Sequence, residues 1–251
     1  ISTKWFQDNL YKNNLCKEYL NKRNLSDETI KYFKLGFSSN SNQTLYEFLK
    51  EQNFNDKEIL ESNVVKYDKN NKIRDFFYNR LMFPITNEYG KIVGFGGRVL
   101  DNSNPKYINS PESEFFKKRN ILYNLYNAKQ IIRLKKNMLI CEGYMDVISL
   151  YDKNIKTAVA PLGTSLTDNH LLLSWKYVNK PTLMFDGDAS GLKASFKSAI
   201  MSLPYLTPSK LLQFIVLPNE YDPDTYINEF SLNKFAIYLK NPLSIVDFIF
   251  L

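Results

Sequence analysis

The sequence predicts two structural halves, a mixed first half of helices with a β-hairpin and a second half of alternating strands and helices. Three observations predict this organisation. Apolar residues recur at helical spacing through residues 2–61, the spacing changes to that of strands between 76 and 100, and from residue 137 short apolar runs alternate with helical segments. Strands separated by helices are typical of βαβ units, so we expect an α+β first half and an α/β second half with a mostly parallel four-stranded sheet.

Short amphipathic helices are predicted in the first half at residues 4–13, 15–21, 26–32, 44–52 and 56–62. Two strands, LMFPI and KIVGFGGRVL, follow, joined by a turn in which Gly90 takes a positive φ. The segment DNSNPKYINSPE is rich in Pro, Asn and Ser and predicts a loop. Residues 121–135 resume helical spacing, so we expect the first part of the chain to end at residue 135.

Four apolar runs predict the strands of the second half: MLICEG, TAVAPLG, PTLMFDGD and LLQFIVLP. Helical segments follow at 144–153, 167–177 and 190–203, and a further helix follows the acidic segment NEYDPD. We therefore expect three parts, at residues 1–135, 136–228 and 229–251, the last being the start of a helical subdomain.

Composition excludes several classes of protein. The chain has 251 residues, of which 44% are hydrophobic, so a disordered chain is excluded. No apolar run approaches the ~18 residues that a membrane span requires, and we expect no membrane partner. Cys16, Cys141 and the single histidine, His170, do not form a zinc pattern. Any metal would be held mainly by carboxylates, which bind hard cations such as Mg²⁺ or Mn²⁺.

The charge of the chain is unevenly distributed. The sequence has 33 basic and 26 acidic residues, a net charge of +7. Residues 1–135 contain 23 basic and 15 acidic residues, a net charge of +8, whereas residues 136–251 contain 10 and 11, a net charge of −1. A basic first half favours an anionic partner such as nucleic acid.

Acidic residues follow three of the four predicted strands at their carboxyl ends. They are Glu142, then Asp186 and Asp188 in FDGD, then Asp222 and Asp224 in EYDPDTY. Each cluster alone is more often a solvated turn than a metal site. Three clusters in order, each at a strand end, are a much more specific indication of a metal site. Because the carboxyl ends of parallel strands lie along one edge, we expect these carboxylates to converge there. Converging carboxylates repel unless a cation lies between them, which predicts one or more bound Mg²⁺ ions.

The segments CEGYMDVISL, APLGTSLTDNH and LMFDGDASGLKA together resemble the DnaG-type bacterial primases. These primases share the TOPRIM fold with topoisomerases and some nucleases. Upstream, YLNKRNLS, NRLMFPI, GKIVGFGGRVL and PKYINSPESEFFKKRNILYNLYNA resemble the basic subdomain of the same family in order and spacing. The resemblance covers residues 5–250 and implies a primase core, a basic subdomain followed by a TOPRIM subdomain.

The resemblance implies synthesis of short RNA primers on single-stranded DNA from NTPs, for replication. It implies that the metal ligands are Glu142, Asp186, Asp188, Asp222 and Asp224, of which the first three are also catalytic. Glu142 could alternatively assist proton transfer, and Asp146 falls in the same motif. Two or more ions would activate the primer 3′-hydroxyl and stabilise the pyrophosphate leaving group.

The resemblance also implies which residues contact the template and the nucleotide, namely Arg23, Arg80, Arg98, Lys106, Tyr107, Asn109 and Lys118. Basic side chains neutralise phosphates, and an aromatic ring can stack on a base. The family's glycine is missing at residues 117–120, which leaves open whether Lys117 or Lys118 is the matching lysine. His170 matches a family histidine, and either a functional role or a satisfied buried histidine would explain it.

The expected partners are the single-stranded DNA template, NTPs and the RNA primer. The resemblance assigns zinc to a preceding cysteine-rich module and replicative helicase binding to a carboxy-terminal region, neither of which this sequence contains. It implies a bacterial cytoplasmic location at the nucleoid and replisome, or an organelle of bacterial origin.

Two alternative functions stay open. The first is a nuclease or topoisomerase-like TOPRIM enzyme that cleaves nucleic acid with the same metal site. The second is a non-catalytic nucleic-acid-binding relic. The GFGGR and PKYINSP segments favour a primase over a nuclease, and the retained carboxylates disfavour a relic.

Overall fold

The computed structural model describes residues 1–39, 43–163 and 165–251, so Thr164 of the segment APLGTSLTDNH lies outside the described residues. The chain forms two compact units, residues 1–85 with 92–116 and residues 86–91 with 117–251. The helix at residues 125–135 belongs to the second unit, although the sequence places it before the expected boundary at 135. It does so because Leu125, Ala128 and Ile132 are buried in the core of that unit.

The described part of the first unit contains five helices: α1 Ser2–Lys12, α2 Asn14–Lys22, α3 Asp27–Tyr32, α4 Leu45–Glu51 and α5 Asp56–Glu61. Polar caps fix the starts of α2 to α5. Asn13 Oδ1 accepts a hydrogen bond from the Cys16 N–H at 2.9 Å, and Ser26 Oγ accepts one from the Thr29 N–H at 3.2 Å. The predicted helices are confirmed to within two residues at each end.

The first unit also contains a four-stranded sheet in the order β1 Gly36–Ser38, β4 Arg80–Thr86, β5 Ile92–Val99, β6 Tyr107–Asn109. A separate pair is formed by β2 Val65–Tyr67 and β3 Ile73–Asp75. The turn between β4 and β5 is confirmed, with Gly90 at φ +83°. The prediction of a loop at DNSNPKYINSPE was wrong where β6 lies. This short strand exists because it pairs with β5, a tertiary contact that leaves no local pattern.

The helices of the second unit are α6 Leu125–Lys135, α7 Tyr144–Asp152, α8 Asp168–Ser174, α9 Ala189–Ser202, α10 Pro223–Glu229, α11 Leu232–Lys240 and α12 Ile245–Ile249. Single turns of 3₁₀ helix lie at Lys118–Asn120 and Leu203–Tyr205. No helix in the described ranges is long and apolar enough to cross a membrane.

The strands of the second unit are β7 Leu139–Ile140, β8 Ala158–Val159, β9 Thr182–Leu183, β10 Gln213–Phe214 and β11 Leu243–Ser244. They form one sheet in the order β11-β10-β9-β7-β8. The pairs β10–β9, β9–β7 and β7–β8 are parallel, as predicted, and β11 is antiparallel to β10. The sheet therefore has five strands and not the predicted four, because the two-residue β11 is defined only by its pairing with β10.

The core of the second unit lies between this sheet and its helices. Ile140 of β7, Val159 of β8 and Leu183 of β9 are buried among residues of the surrounding helices. The Phe214 ring of β10 stacks on the Phe248 ring of α12 with centroids 4.2 Å apart. Burial of side chains of this size stabilises the fold by about 1.5–3 kcal/mol each.

Candidate functional site

The predicted carboxylates follow three neighbouring parallel strands of the second unit. Glu142 follows β7, Asp186 and Asp188 follow β9, and the segment with Asp222 and Asp224 follows β10. Because β7, β9 and β10 are adjacent and parallel, these segments lie at one edge of the sheet. We call these five residues, with Asp146, the acidic edge.

The ends of β7 and β9 are in direct contact. The Asp186 N–H donates a hydrogen bond to Glu142 Oε1 at 3.3 Å. Burial raises the pKa of Glu142, and the charge of Asp188 raises it further. Glu142 therefore faces both aspartates of the FDGD segment.

Asp146 brings the third acidic segment into the cluster. It is buried in the first turn of α7, and its Oδ2 accepts a hydrogen bond from the Gly143 N–H at 2.8 Å. Burial raises the pKa of Asp146 well above its usual range, and the charges of Asp222, Asp186 and Asp224 add to the rise. Sequence reasoning did not include Asp146 among the metal ligands. Its pKa is nevertheless raised by aspartates of both other acidic segments, so it lies close to them.

Asp188 and Asp222 are the N-caps of α9 and α10. Asp188 Oδ1 accepts a hydrogen bond from the Gly191 N–H at 2.7 Å, and Asp222 Oδ1 accepts one from the Thr225 N–H at 2.6 Å. The start of a helix favours negative charge, so each carboxylate stabilises the helix that it caps. Among the described residues the structure records no hydrogen bond to either Oδ2, so these oxygens can serve as metal ligands.

Asp224 is held by a different set of bonds. It is 1% exposed, and its Oδ1 accepts hydrogen bonds from Ser149 Oγ at 2.5 Å and Asn228 Nδ2 at 2.9 Å. Ser149 lies on α7, so the first bond ties α10 to α7. Asp224 therefore connects two helices of the acidic edge, in addition to any role as a ligand.

Gly187 permits the close approach of the FDGD segment to the loop before Asp222. Its N–H donates a hydrogen bond to the Tyr221 carbonyl at 2.8 Å. A Cβ atom at this position would lie 2.6 Å from the Leu217 carbonyl oxygen and would also meet the carbonyl oxygen of Pro218. Any other residue type would push this loop, and with it Asp222, away from Asp186 and Asp188.

The acidic edge fits a hard divalent cation by the chemistry of its donors. The candidate ligands are all carboxylates, which Mg²⁺ and Mn²⁺ prefer, and burial, with a smaller contribution from neighbouring carboxylates, raises the pKa of Glu142 and of Asp146. Within the described ranges, no three His, Cys, Asp or Glu side chains form a group that could by itself hold a metal ion. Repulsion keeps like charges apart, so a bound cation would have to draw the carboxylates together.

The predicted basic residues of the first unit include a stack of cations and aromatic rings. The Arg98 guanidinium lies 4.9 Å from the centre of the Tyr19 ring and 5.2 Å from that of Tyr107. Its Nη1 donates a hydrogen bond to Tyr107 Oη at 2.7 Å, and Arg23 lies 5.4 Å from the Tyr19 ring centre. Two rings therefore fix the orientation of Arg98. We call Tyr19, Arg23, Arg98 and Tyr107 the arginine–tyrosine stack.

Arg80 and Lys106 are adjacent in the same unit but differ in exposure. Arg80 is 8% exposed, and its Nη1 donates hydrogen bonds to the carbonyls of Pro105 at 3.0 Å and Lys106 at 3.4 Å. The Lys106 side chain is exposed, whereas Tyr107 and Asn109 on β6 are half-buried. Arg80 therefore positions the segment that carries Lys106.

Lys118 lies in the second unit, where His170 holds its backbone. His170 Nε2 lies 2.9 Å from the Lys118 carbonyl oxygen, and its Nδ1 accepts a hydrogen bond from the Thr167 N–H at 3.2 Å. This pattern fits a neutral imidazole with its proton on Nε2. His170 is fully buried and burial lowers its pKa, so it is a satisfied buried histidine.

The predicted site residues therefore form two groups in separate units. The acidic edge and Lys118 lie in the second unit, and the remaining basic and polar residues lie in the first. Sequence reasoning missed Tyr19 and Ser149. Tyr19 lies on α2 four residues before the C-cap Arg23, a spacing that places both on one face of the helix end and could have indicated the pair. The bond between Ser149 and Asp224 joins distant segments and has no such signal.

Family models and curated proteins match the chain in both halves. The model described as the DNA primase catalytic core, N-terminal domain, matches residues 5–129, and the Toprim domain model matches residues 136–208. A DNA primase from Buchnera aphidicola is 38% identical over 247 residues, which are 98% of this chain and 43% of that protein. One from Haemophilus influenzae is 37% identical over 246 residues, 98% of this chain and 42% of that protein. The chain thus spans about two fifths of the length of these relatives.

Solved structures match the fold along nearly the whole chain. The structure of the DnaG primase catalytic domain bound to ssDNA has a TM-score of 0.87 and 34% identity, covering 99% of this chain and 81% of that one. The Escherichia coli primase catalytic core also has a TM-score of 0.87 and 34% identity, covering 99% and 80%. With this identity and coverage, the chain belongs to the family of DnaG-type bacterial DNA primases and corresponds to their catalytic core.

Proposed function

We propose that this chain synthesises short RNA primers on a single-stranded DNA template by metal-dependent nucleotidyl transfer from NTPs. The acidic edge is the observation that carries the proposal, because it gathers carboxylates from three strand ends in a chain that belongs to the primase family. A solved relative is a primase catalytic domain bound to single-stranded DNA, which supports DNA as the template.

In this proposal the metal ligands are carboxylates of the acidic edge, namely Glu142, Asp186, Asp188, Asp222 and Asp224. Two or more Mg²⁺ or Mn²⁺ ions would supply activation of the primer 3′-hydroxyl and stabilisation of the pyrophosphate leaving group. Nucleotidyl transfer depends mainly on positioning and charge neutralisation, so no nucleophilic side chain is needed.

The protein's own contribution is to hold these carboxylates in place before substrates arrive. The N-cap bonds orient Asp188 and Asp222, and the Ser149 bond orients Asp224. These bonds limit the rearrangement that the carboxylates would need when a cation draws them together. The raised pKa of Glu142 also fits the alternative in which this side chain accepts a proton during the reaction.

We assign template and nucleotide contacts to the basic and polar set Arg23, Arg80, Arg98, Lys106, Tyr107, Asn109 and Lys118. Exposed Lys106 would neutralise phosphates directly, and Arg80 would act by positioning it. Arg98 would present a fixed guanidinium from the arginine–tyrosine stack. Residues 1–135 would thus bind template and NTPs, residues 136–228 would bind the metal, and residues 229–251 would begin a helical subdomain.

The remaining partners are proposals of the same kind. The RNA primer would share the template's surface, and a replicative helicase would bind through a region outside this sequence. A bacterial cytoplasmic location is supported by relatives from bacteria.

The decisive experiment incubates the chain with single-stranded DNA, labelled NTPs and Mg²⁺ or Mn²⁺. We expect short labelled RNA that disappears in Asp186→Ala and persists in the control Glu114→Ala, which removes an exposed carboxylate from the first unit. Cleaved DNA without RNA would instead support the nuclease or topoisomerase-like alternative. DNA binding without RNA or cleavage would support the non-catalytic alternative.

A further inference from the structure

A cavity rich in cations lies in the second unit, away from the acidic edge. Its volume is about 670 Å³, and the end of α6, the turn before β9, the start of β10 and the end of α11 line it. Four of its described lining residues are cationic and none is acidic; the cations are Arg133, Lys136, Lys180 and Lys240. We call this the cationic cavity.

The cationic cavity is at the opposite end of the sheet from the carboxylates. Thr182, the first residue of β9, and Gln213, the first residue of β10, both line it. The acidic edge follows the carboxyl ends of the same two strands, at Asp186 and Asp222. The second half is nearly neutral overall, but the cations of the cavity gather at one end of the sheet and the carboxylates of the acidic edge at the other. A ligand bound in the cavity would therefore not contact the acidic edge.

The structure shows no carboxylate that neutralises these four cations among the described residues. Arg133 lies over the Tyr177 ring, 4.8 Å from its centre. Glu88 contacts Tyr177, a residue that lines the cavity. Its carboxylate accepts a hydrogen bond from the Tyr177 hydroxyl at 3.5 Å and forms no ion pair with a lysine among the described residues. Helix C-termini favour nearby cations, which would explain why each of Arg133, Lys136 and Lys240 is found at the end of a helix. It does not account for Lys180, which lies in a turn, or for the cavity that all four share.

We propose that the cationic cavity binds a diphosphate or triphosphate group, either of a free nucleotide or of an inorganic polyphosphate. The volume falls within the ~300–1,000 Å³ typical of small-molecule sites. Four cations around one open cavity match the several negative charges of such a group, whereas a single phosphate would leave most of them unbalanced. This inference does not depend on the proposed polymerase activity.

The test measures binding in EDTA, where the acidic edge lacks divalent cations and repels anions. The chain is titrated with inorganic pyrophosphate and, separately, with ATP by calorimetry, and we expect saturable binding at the cavity, which the variants below separate from any binding to the basic residues of the first unit. The triple variant Lys136→Gln, Lys180→Gln, Lys240→Gln should bind about tenfold more weakly or worse, since it removes three favourable charge contacts. The matched control Lys193→Gln, Lys197→Gln, Lys234→Gln removes three exposed lysines of the same unit that do not line the cavity, and it should bind as the parent does.

Each outcome decides the matter. Equal affinity for pyrophosphate and ATP identifies the phosphates as the recognised group, and tighter binding of ATP identifies a nucleotide. Absence of binding, or equal affinity of the two triple variants, would overturn the proposal. Binding of an oligo(dT) strand that is lost in the cavity variant, with no binding of pyrophosphate or ATP, would assign the cavity to nucleic acid and also overturn it. RNA synthesis is not part of any of these measurements, so failure here is distinct from failure of the primase proposal.

Discussion

The guanidinium of Arg98 is held between two tyrosine rings, and this arrangement makes Tyr19 a positioning residue for it. We expect Tyr19→Leu to weaken binding of single-stranded DNA by up to about fivefold, because the guanidinium loses about 1 kcal/mol of the cation–π attraction that holds it in its binding orientation. Tyr19→Phe retains a ring and should retain the affinity. Fluorescence anisotropy with a labelled oligonucleotide measures both.

The exposed Tyr11 on α1 supplies the control for this comparison, and Tyr11→Leu should leave DNA affinity unchanged. Circular dichroism checks that each variant is folded. An equal loss of affinity in Tyr19→Phe and Tyr19→Leu would show that the aromatic ring is not the operative contact.

His170 makes stability depend on pH in a direction that its environment fixes. Burial lowers its pKa below the usual 6.5, so below about pH 6.5 the unfolded chain takes up a proton that the folded chain does not. We therefore expect the free energy of unfolding to fall as the pH drops below 6.5 and to level off below the folded pKa. Urea denaturation between pH 8 and pH 5 measures this fall.

The variant His170→Gln lacks the titrating group and is the comparison for that series. It should be less stable at neutral pH, because the bonds to Lys118 and Thr167 are disturbed, but its stability should change less between pH 8 and pH 5. Identical pH dependence in both proteins would contradict the assignment of the effect to His170.

Single residues were predictable from the sequence where their position on a strand determines their neighbours. Glu142, Asp186 and Asp222 could be assigned to one edge because parallel strands end together, and the structure places them there. The contacts of Tyr19 and Ser149 could not be predicted from the sequence, because they depend on which side chains from elsewhere in the chain pack against α2 and α7. The ligand and contact roles themselves stay predictions.

At the scale of elements, the bond between Ser149 and Asp224 joins α7 to α10. Both side chains are 1% exposed, so Ser149→Ala leaves a buried carboxylate with one fewer donor. We expect a loss of about 1–3 kcal/mol in the free energy of unfolding, measured by urea denaturation.

Ser202→Ala is the matched control, since Ser202 is also buried in a helix but bonds only to the carbonyl of Ala199 within the same helix. It should cost less than Ser149→Ala. If the two variants lose equal stability, the bond between the helices has no special contribution.

Helices were predictable because their signals are local, and strands β6 and β11 were not. The helices α1 to α5 begin at polar caps or at regular apolar spacing that the sequence displays. Strands β6 and β11 have three and two residues and exist through their partners β5 and β10. A pairing partner that lies elsewhere in the chain cannot be inferred from a run of two or three residues.

At the scale of the whole molecule, a first half with a net charge of +8 predicts salt-dependent binding to DNA. The logarithm of DNA affinity should fall linearly with the logarithm of salt concentration. We expect Lys106→Gln to reduce the slope by about one, since it removes one phosphate contact. Anisotropy titrations at four salt concentrations measure the slopes.

Lys69→Gln removes another exposed lysine of the first unit and should leave the slope unchanged. Equal slopes for Lys106→Gln and Lys69→Gln would mean that Lys106 acts only through the overall charge.

The division into a mixed half and an α/β half was predictable because strand and helix spacings differ along the sequence. The limits of the compact units were not. Residues 125–135 and 86–91 join the second unit through Leu125, Ile132 and the ring of Tyr126, and such packing cannot be inferred from the local pattern of either segment.

The chain passes from one unit to the other after residues 85, 91 and 116. In the second unit, Gly90 of the hairpin tip lies against the Tyr126 ring, and Lys129 Nζ donates a hydrogen bond to the Glu88 carbonyl at 2.7 Å. A single genetic crossover near residue 116 therefore cannot transfer a whole unit between two relatives. It combines the hairpin tip of one parent with the α6 of the other, although these two segments contact each other. Recombination should yield working chimaeras most often when both segments descend from the same parent.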